Sequence, residues 1–286
     1  MARFASLLLL ALLALSSPAA AGQSAASGLP AATMLGVASL YGAEEGLAVL
    51  DAGGRVRVGK FEGSRVEKWQ FLPGVESASA IAGDETGLLL VVSRKGEDYF
   101  LSSWRMGESD KTQRKLKLPR AMSGLSGAAA GNGMLWLVFR KPVGVLFFAY
   151  DGMLLGEAEG TEFLRSPYSV ALSGLGEAFV TDPMGPSIVR FRSTGQKEQV
   201  YDLTGTGMTR PTGIAVGSDG AVLVSDGLTG GLARLKTSGS VWDLEFSGEK
   251  NFDEPLRICT DNLSNRGVFA LEARSGKIGW LKEFGR

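Results

Sequence analysis

Three prolines, Pro167, Pro211 and Pro255, recur at intervals of 44 residues, and each stands three residues ahead of a β-branched residue, Val170, Ile214 and Ile258. The first two copies also keep an aspartate in step, Asp182 and Asp226, followed by a basic residue between apolar ones in Val189-Arg190-Phe191 and Ala233-Arg234-Leu235. A unit of this length, made of short apolar runs and glycine turns, is long enough for four strands and too small to bury both of its faces. It has to stack on its neighbours, and the architecture that follows is an all-β, six-bladed β-propeller of four-stranded antiparallel blades.

Further copies start at Val37-Ala38-Ser39, Ile81-Ala82-Gly83 and Ala128-Ala129-Ala130-Gly131, which brings the number to six. Each copy continues into a run suited to a strand buried on both faces: Leu47 to Leu50, Leu88 to Val92, Leu135 to Phe139, Phe179-Val180, Val222 to Val224 and Val268 to Leu271. Asn132-Gly133, Ser218-Asp219-Gly220 and Ser173-Gly174-Leu175-Gly176 fall between first and second strands and read as tight hairpin connections. The last copy stops after its third strand. The segment 22–32 is therefore expected as a loose tail that can donate the missing outer strand and close the ring, leaving 33–286 as a single domain.

Residues 1–21 read as an export signal: Arg3, the apolar stretch Leu7 to Leu15, then Pro18 and the small residues Ala19-Ala20-Ala21. The stretch is shorter than the roughly 20 residues of a bilayer-spanning helix, and no later segment is apolar for long enough, so no integral membrane segment is expected after signal removal. The periplasm is the expected location, with the extracellular medium as the alternative. Thirty basic and thirty acidic residues balance, which provides no overall field for nucleic acid. The single Cys259 cannot form an intramolecular disulfide, so core burial must hold the domain together.

The segment Arg210-Pro211-Thr212-Gly213-Ile214-Ala215-Val216 with Asp219-Gly220 and the strand Val222 to Asp226 resembles an NHL repeat, as does Leu232-Ala233-Arg234-Leu235 after it. Ser166 to Phe191 is similar to the same pattern. Where that family often carries an asparagine, this chain has Gly227-Leu228-Thr229-Gly230-Gly231. The resemblance implies a six-bladed propeller of the NHL or TolB-like kind and no particular reaction, because such propellers host lactonases, lyases and interaction scaffolds.

The chain contains no histidine. Ser-His-Asp and Cys-His nucleophilic systems are thereby absent, as is any histidine-rich zinc site. Cys259 aligns with Ala171 and Ala215 and is expected as a buried, inert thiol. Asp182 and Asp226 close a repeated strand, where a carboxylate ordinarily accepts backbone N–H bonds from the following loop; Asn132 and Glu44-Glu45 fall in hairpin turns. The same carboxylates, Asp182 and Asp226 with Glu44, are also the candidate ligands of a calcium-dependent lactonase of the gluconolactonase type, whose chemistry uses carboxylates and amides rather than histidine.

Arg257 breaks the repeat, since its counterparts on the innermost strands are Ser169 and Gly213. It either pairs with a carboxylate such as Glu254 or Asp261, or faces the channel and offers a bidentate site to an anion. Arg165 and Arg210 stand just before their own inner strands and are expected to join Arg257 on one face. The function read from these residues is a non-catalytic scaffold, without a cofactor, that binds a protein, peptide or cell-envelope ligand through Arg165, Arg210 and Arg257.

Overall fold

The computed structural model describes residues 23–24, 34–40, 46–62, 65–105, 113–217, 219–238, 241–246, 250–261, 267–272 and 277–281. These residues form six four-stranded antiparallel sheets whose innermost strands contact one another in sequence around a ring. The inner strands are Met34–Leu40, Ala78–Gly83, Ser123–Gly131, Ser169–Leu172, Pro211–Val216 and Pro255–Asp261, numbered here as blades one to six. Among the described residues, no outer strand follows the third strand of blade six. Gln23–Ser24 supplies it, with Gln23 opposite Trp280 and Ser24 opposite Gly279.

The second strands carry the apolar runs seen in the sequence, and every residue of Gly46–Asp51, Ala178–Asp182 and Val222–Asp226 is buried. Alternation along such a strand sends successive side chains to opposite blades. In blade three, Leu135, Leu137 and Phe139 pack into blade two, whereas Trp136 and Val138 pack into blade four. Trp136 stacks on Phe147 at 4.7 Å between ring centres. The six apolar clusters among the described residues all lie between two neighbouring blades.

The inner strands leave this regular pattern at their start. In blades one, two, three, five and six the register against the second strand shifts there, as a bulge does, between Pro211 and Ile214 and between Pro255 and Arg257 among others. A proline is tolerated at such a point because it has no N–H to give to the ladder. The freed carbonyls are taken up across the blade boundary. Ser126 Oγ donates to the Pro167 carbonyl at 2.9 Å, Thr181 Oγ1 to Thr212 O at 2.9 Å, and Thr212 Oγ1 to Pro255 O at 2.5 Å. The repeated prolines thus mark the places where one blade is fastened to the next.

At their other ends the inner strands turn tightly into the second strands. Asn132 and Gly133, with φ of 51° and 74°, connect Gly131 to Met134 in a two-residue hairpin, the geometry that Asn-Gly favours. Among the described residues no helix is long and apolar enough to cross a membrane.

Thr212 is fully buried, and its hydroxyl is bound to a carbonyl of the next blade. Thr212→Val keeps the volume and leaves that carbonyl without its donor, so urea unfolding should show a loss of about 1–2 kcal/mol. A loss within experimental error would show that the blade boundary does not depend on this bond.

Candidate functional site

The face on which each inner strand begins also carries the turns between second and third strands, and two buried carboxylates organise it. Asp226 accepts the backbone N–H groups of Thr209 at 2.5 Å, Arg210 at 3.1 Å, Leu228 at 2.7 Å and Thr229 at 3.0 Å. Asp182 does the same in blade four with Arg165, Ser166, Met184 and Gly185. Each carboxylate therefore ties the segment leading into its inner strand to the turn that follows its second strand. Burial opposes ionisation of Asp226, yet the N–H groups of Thr229, Thr209, Leu228 and Arg210 outweigh it and hold the carboxyl below its ordinary value.

Two further acids occupy this position, and sequence spacing alone did not bring them out. Asp51 stands opposite Met34 as Asp226 stands opposite Pro211, and accepts Arg55 N and Nε, each at 3.0 Å. Glu272 stands opposite Pro255, and its Oε1 accepts Asp253 N at 3.2 Å. The signal was present, since Leu47-Ala48-Val49-Leu50 runs into Asp51 just as Val222-Leu223-Val224-Ser225 runs into Asp226. It was hidden because blade one has no proline to set the period.

The two caps fix what the rim displays. Arg165 and Arg210 lie at equivalent exposed positions in blades four and five, with the Arg165 stem against Gly185. Two residues past each capping aspartate stands an apolar side chain in open solvent, Met184 at 68% exposure and Leu228 at 65%. In blades two and three the corresponding turns carry the exposed cations Arg94, Lys95, Arg140 and Lys141.

Arg257 does not join Arg165 and Arg210 on the rim. It turns into the channel and crosses it, donating from Nη2 to the Ser126 carbonyl of the opposite blade. Its guanidinium lies 3.8 Å from the ring centre of Tyr168, and Arg140 approaches the same ring at 5.5 Å. Burial lowers the Arg257 guanidinium from its usual value and the Arg140 charge adds to this, while Tyr168 opposes both. A guanidinium in this position remains a cation, bound by a carbonyl and an aromatic face. The space around it, lined by Ser79, Ser126, Ser169 and Ile214 among others, is only about 50 Å³.

Of the candidate metal ligands, Asp182 and Asp226 belong to different blades and have both carboxylate oxygens engaged by backbone N–H groups, and Glu44 lies outside the described residues. Among the described residues no group of three or more acidic or cysteine side chains is placed to hold a metal ion. Cys259, expected to be buried, is partly exposed on the channel wall, because its inner strand borders the channel along its length.

No family model matches the chain, and no curated protein sequence does. Solved structures do. A protein of unknown function from Bacteroides thetaiotaomicron superposes with a TM-score of 0.65 at 16% identity, over 90% of this chain and 71% of that one. A streptogramin B lyase gives 0.60 at 16% identity over 90% and 95%, and the PQQ-bound aldose sugar dehydrogenase of Streptomyces coelicolor gives 0.61 at 12% identity over the same shares. At these identities the likeness is one of fold, the six-bladed propeller, and the neighbours' activities differ among themselves.

Two measurements test this geometry. Because the folded carboxyl of Asp226 titrates below its unfolded value, its contribution is complete above about pH 5 and is lost as pH falls through the unfolded and then the folded pKa. Asp226→Ala should lower stability at pH 7 by about 2–4 kcal/mol and flatten this part of the acid limb in urea titrations; an unchanged limb would count against the cap. A double-mutant cycle of Arg257→Met with Tyr168→Ala should give a coupling of about 1–2 kcal/mol.

Proposed function

We propose that the chain is an exported, non-catalytic propeller that captures a protein, peptide or cell-envelope ligand on the rim of blades four and five. The observation that carries this reading is the pair of exposed apolar tips, Met184 and Leu228, held at equivalent positions by buried aspartates beside the exposed Arg165 and Arg210. An exposed apolar residue on a fixed turn with a cation alongside is suited to a partner offering apolar and acidic groups. Arg257 supports the rim from within the channel by way of Tyr168 and takes a structural part in this reading.

The residues argue against hydrolytic or eliminative chemistry. A histidine-to-alanine variant of the virginiamycin B lyase from Staphylococcus aureus, a structural neighbour at 13% identity, is described as catalytically inactive, and this chain has no histidine. The NHL-like pattern of blades four and five fits an interaction scaffold, and residues 1–21 fit export to the periplasm. A calcium-dependent lactonase would draw on Asp182, Asp226 and Glu44, of which the two aspartates are already bound to four N–H groups each.

The test is capture from envelope extracts on the immobilised domain. Arg165→Glu with Arg210→Glu, and separately Met184→Asp with Leu228→Asp, should each reduce the captured partner about tenfold or more without moving the thermal midpoint. Undiminished capture by both variants would overturn the rim reading. A thermal midpoint that rises with calcium and falls with EDTA would instead establish a native-state metal site and favour the lactonase.

A further inference from the structure

At the end of the channel opposite this rim, the inner strands and their hairpins enclose a second and larger space of about 340 Å³. Its walls are apolar and small, formed by Ala82, Ala128, Ala130, Val170, Ile214 and Ile258 among others, and no lysine or arginine is among the described residues that line it. The narrow section crossed by Arg257 shares Ile81, Ala128, Val170, Ile214 and Ile258 with it and forms its inner end. The outer end is a mouth made by the hairpins of blades two, three and four, with Asp84, Glu85, Asn132, Ser173 and Gly174.

The polar groups of this mouth are unequal in a way that selects a ligand. The side-chain donors are already committed: Asn132 Nδ2 to the Ser173 and Gly174 carbonyls at 3.4 and 3.3 Å, Ser173 Oγ to Glu177 Oε2 at 3.3 Å, and Thr260 Oγ1 to Val216 O at 2.9 Å, while Asn132 N donates to Glu85 Oε1 at 3.1 Å. Asp84 is closed within its own turn, accepting Thr86 N at 2.9 Å and Leu88 N at 2.8 Å. Glu85 keeps its second oxygen, and the Gly174 carbonyl keeps a lone pair, whereas the Ser173 carbonyl accepts both Gly176 N and Asn132 Nδ2. Burial first, and then the charges of Asp84 and Glu85 and a hydrogen bond to Asp84, push the hydroxyl of the neighbouring Tyr150 well above its ordinary value. An ammonium group, with three donors and no acceptor, complements such a mouth, and an apolar body complements the walls behind it.

We propose that this cavity is a binding site for a small amine with an apolar body, its ammonium at Glu85 and its stem directed along the alanine wall toward Arg257. A cation fits only in this orientation, because the inner end already holds the Arg257 charge. The site is independent of the rim reading, since it opens on the other face.

Cys259 lines the cavity and is the only cysteine in the chain, so the native protein carries its own reporter. Methyl methanethiosulfonate should modify it, and octylammonium should slow that reaction in a saturable way. Each methylene between butyl- and octylammonium should lower the half-protecting concentration about fourfold, as burial of a CH₂ group implies. Octanoate and octanol should protect far less. Glu85→Gln, an exposed substitution that leaves the fold intact, should raise the half-protecting concentration of octylammonium about fivefold, and reversal of Arg210 should leave it unchanged. A thiol that does not react in the folded protein would show that the cavity is closed to small molecules. Equal protection by octanoate, no dependence on chain length, or no effect of Glu85→Gln would each overturn the assignment.

Discussion

No blade of this protein owns a core. The apolar side chains of each second strand are divided between two neighbours, so every cluster is a boundary and every boundary is needed before either blade is buried. The fold therefore depends on closing the circle. Closure takes one short antiparallel pairing, Gln23–Ser24 against the third strand of the last blade, together with the apolar boundary between blades six and one. It covers the edge of that third strand at Gly279 and Trp280 and leaves only the short Gln23–Ser24 strand outermost.

The two ends of the channel are built on different principles. On one face, buried carboxylates gather four backbone donors apiece and hold loops in position by charge-assisted bonds, which leaves the loop tips free of structural duty. On the other, each hairpin is closed within itself, by the Asn132-Gly133 backbone in blade three and by Asp84, Ser173 and Asp219 side chains in blades two, four and five, and side chains that point inward border the cavity. Arg257 separates the two. A cation that crosses from blade six to blade three and rests on Tyr168 narrows the channel to the small space around it, at the inner end of the larger cavity.

Much of this was legible in the chain. The proline period gave blade number and strand order because each proline stands at or just before the start of an inner strand, where the chain passes from one blade to the next, and the aspartates could be read as caps because they keep that period. Asp51 escaped because its blade begins at Met34, with no proline. The direction of Arg257 could not be read at all: its spacing places it on an inner strand, but whether it turns to a nearby carboxylate or across the channel depends on Tyr168 of another blade. The cavity was invisible for a related reason. Ala128-Ala129-Ala130 looks the same whether alanine is there to let strands approach or to leave room between them, and only the ring closure decides it.

The capping aspartates have a consequence for how this surface can change. Met184 and Leu228 sit two residues beyond a carboxylate that, within their own turn, binds only backbone N–H groups, and backbone is the same whatever side chain it carries. Positions of this kind can be rewritten with nearly any residue while the turn keeps its shape, so the rim is a display platform whose recognition chemistry can diverge quickly over a scaffold that stays still.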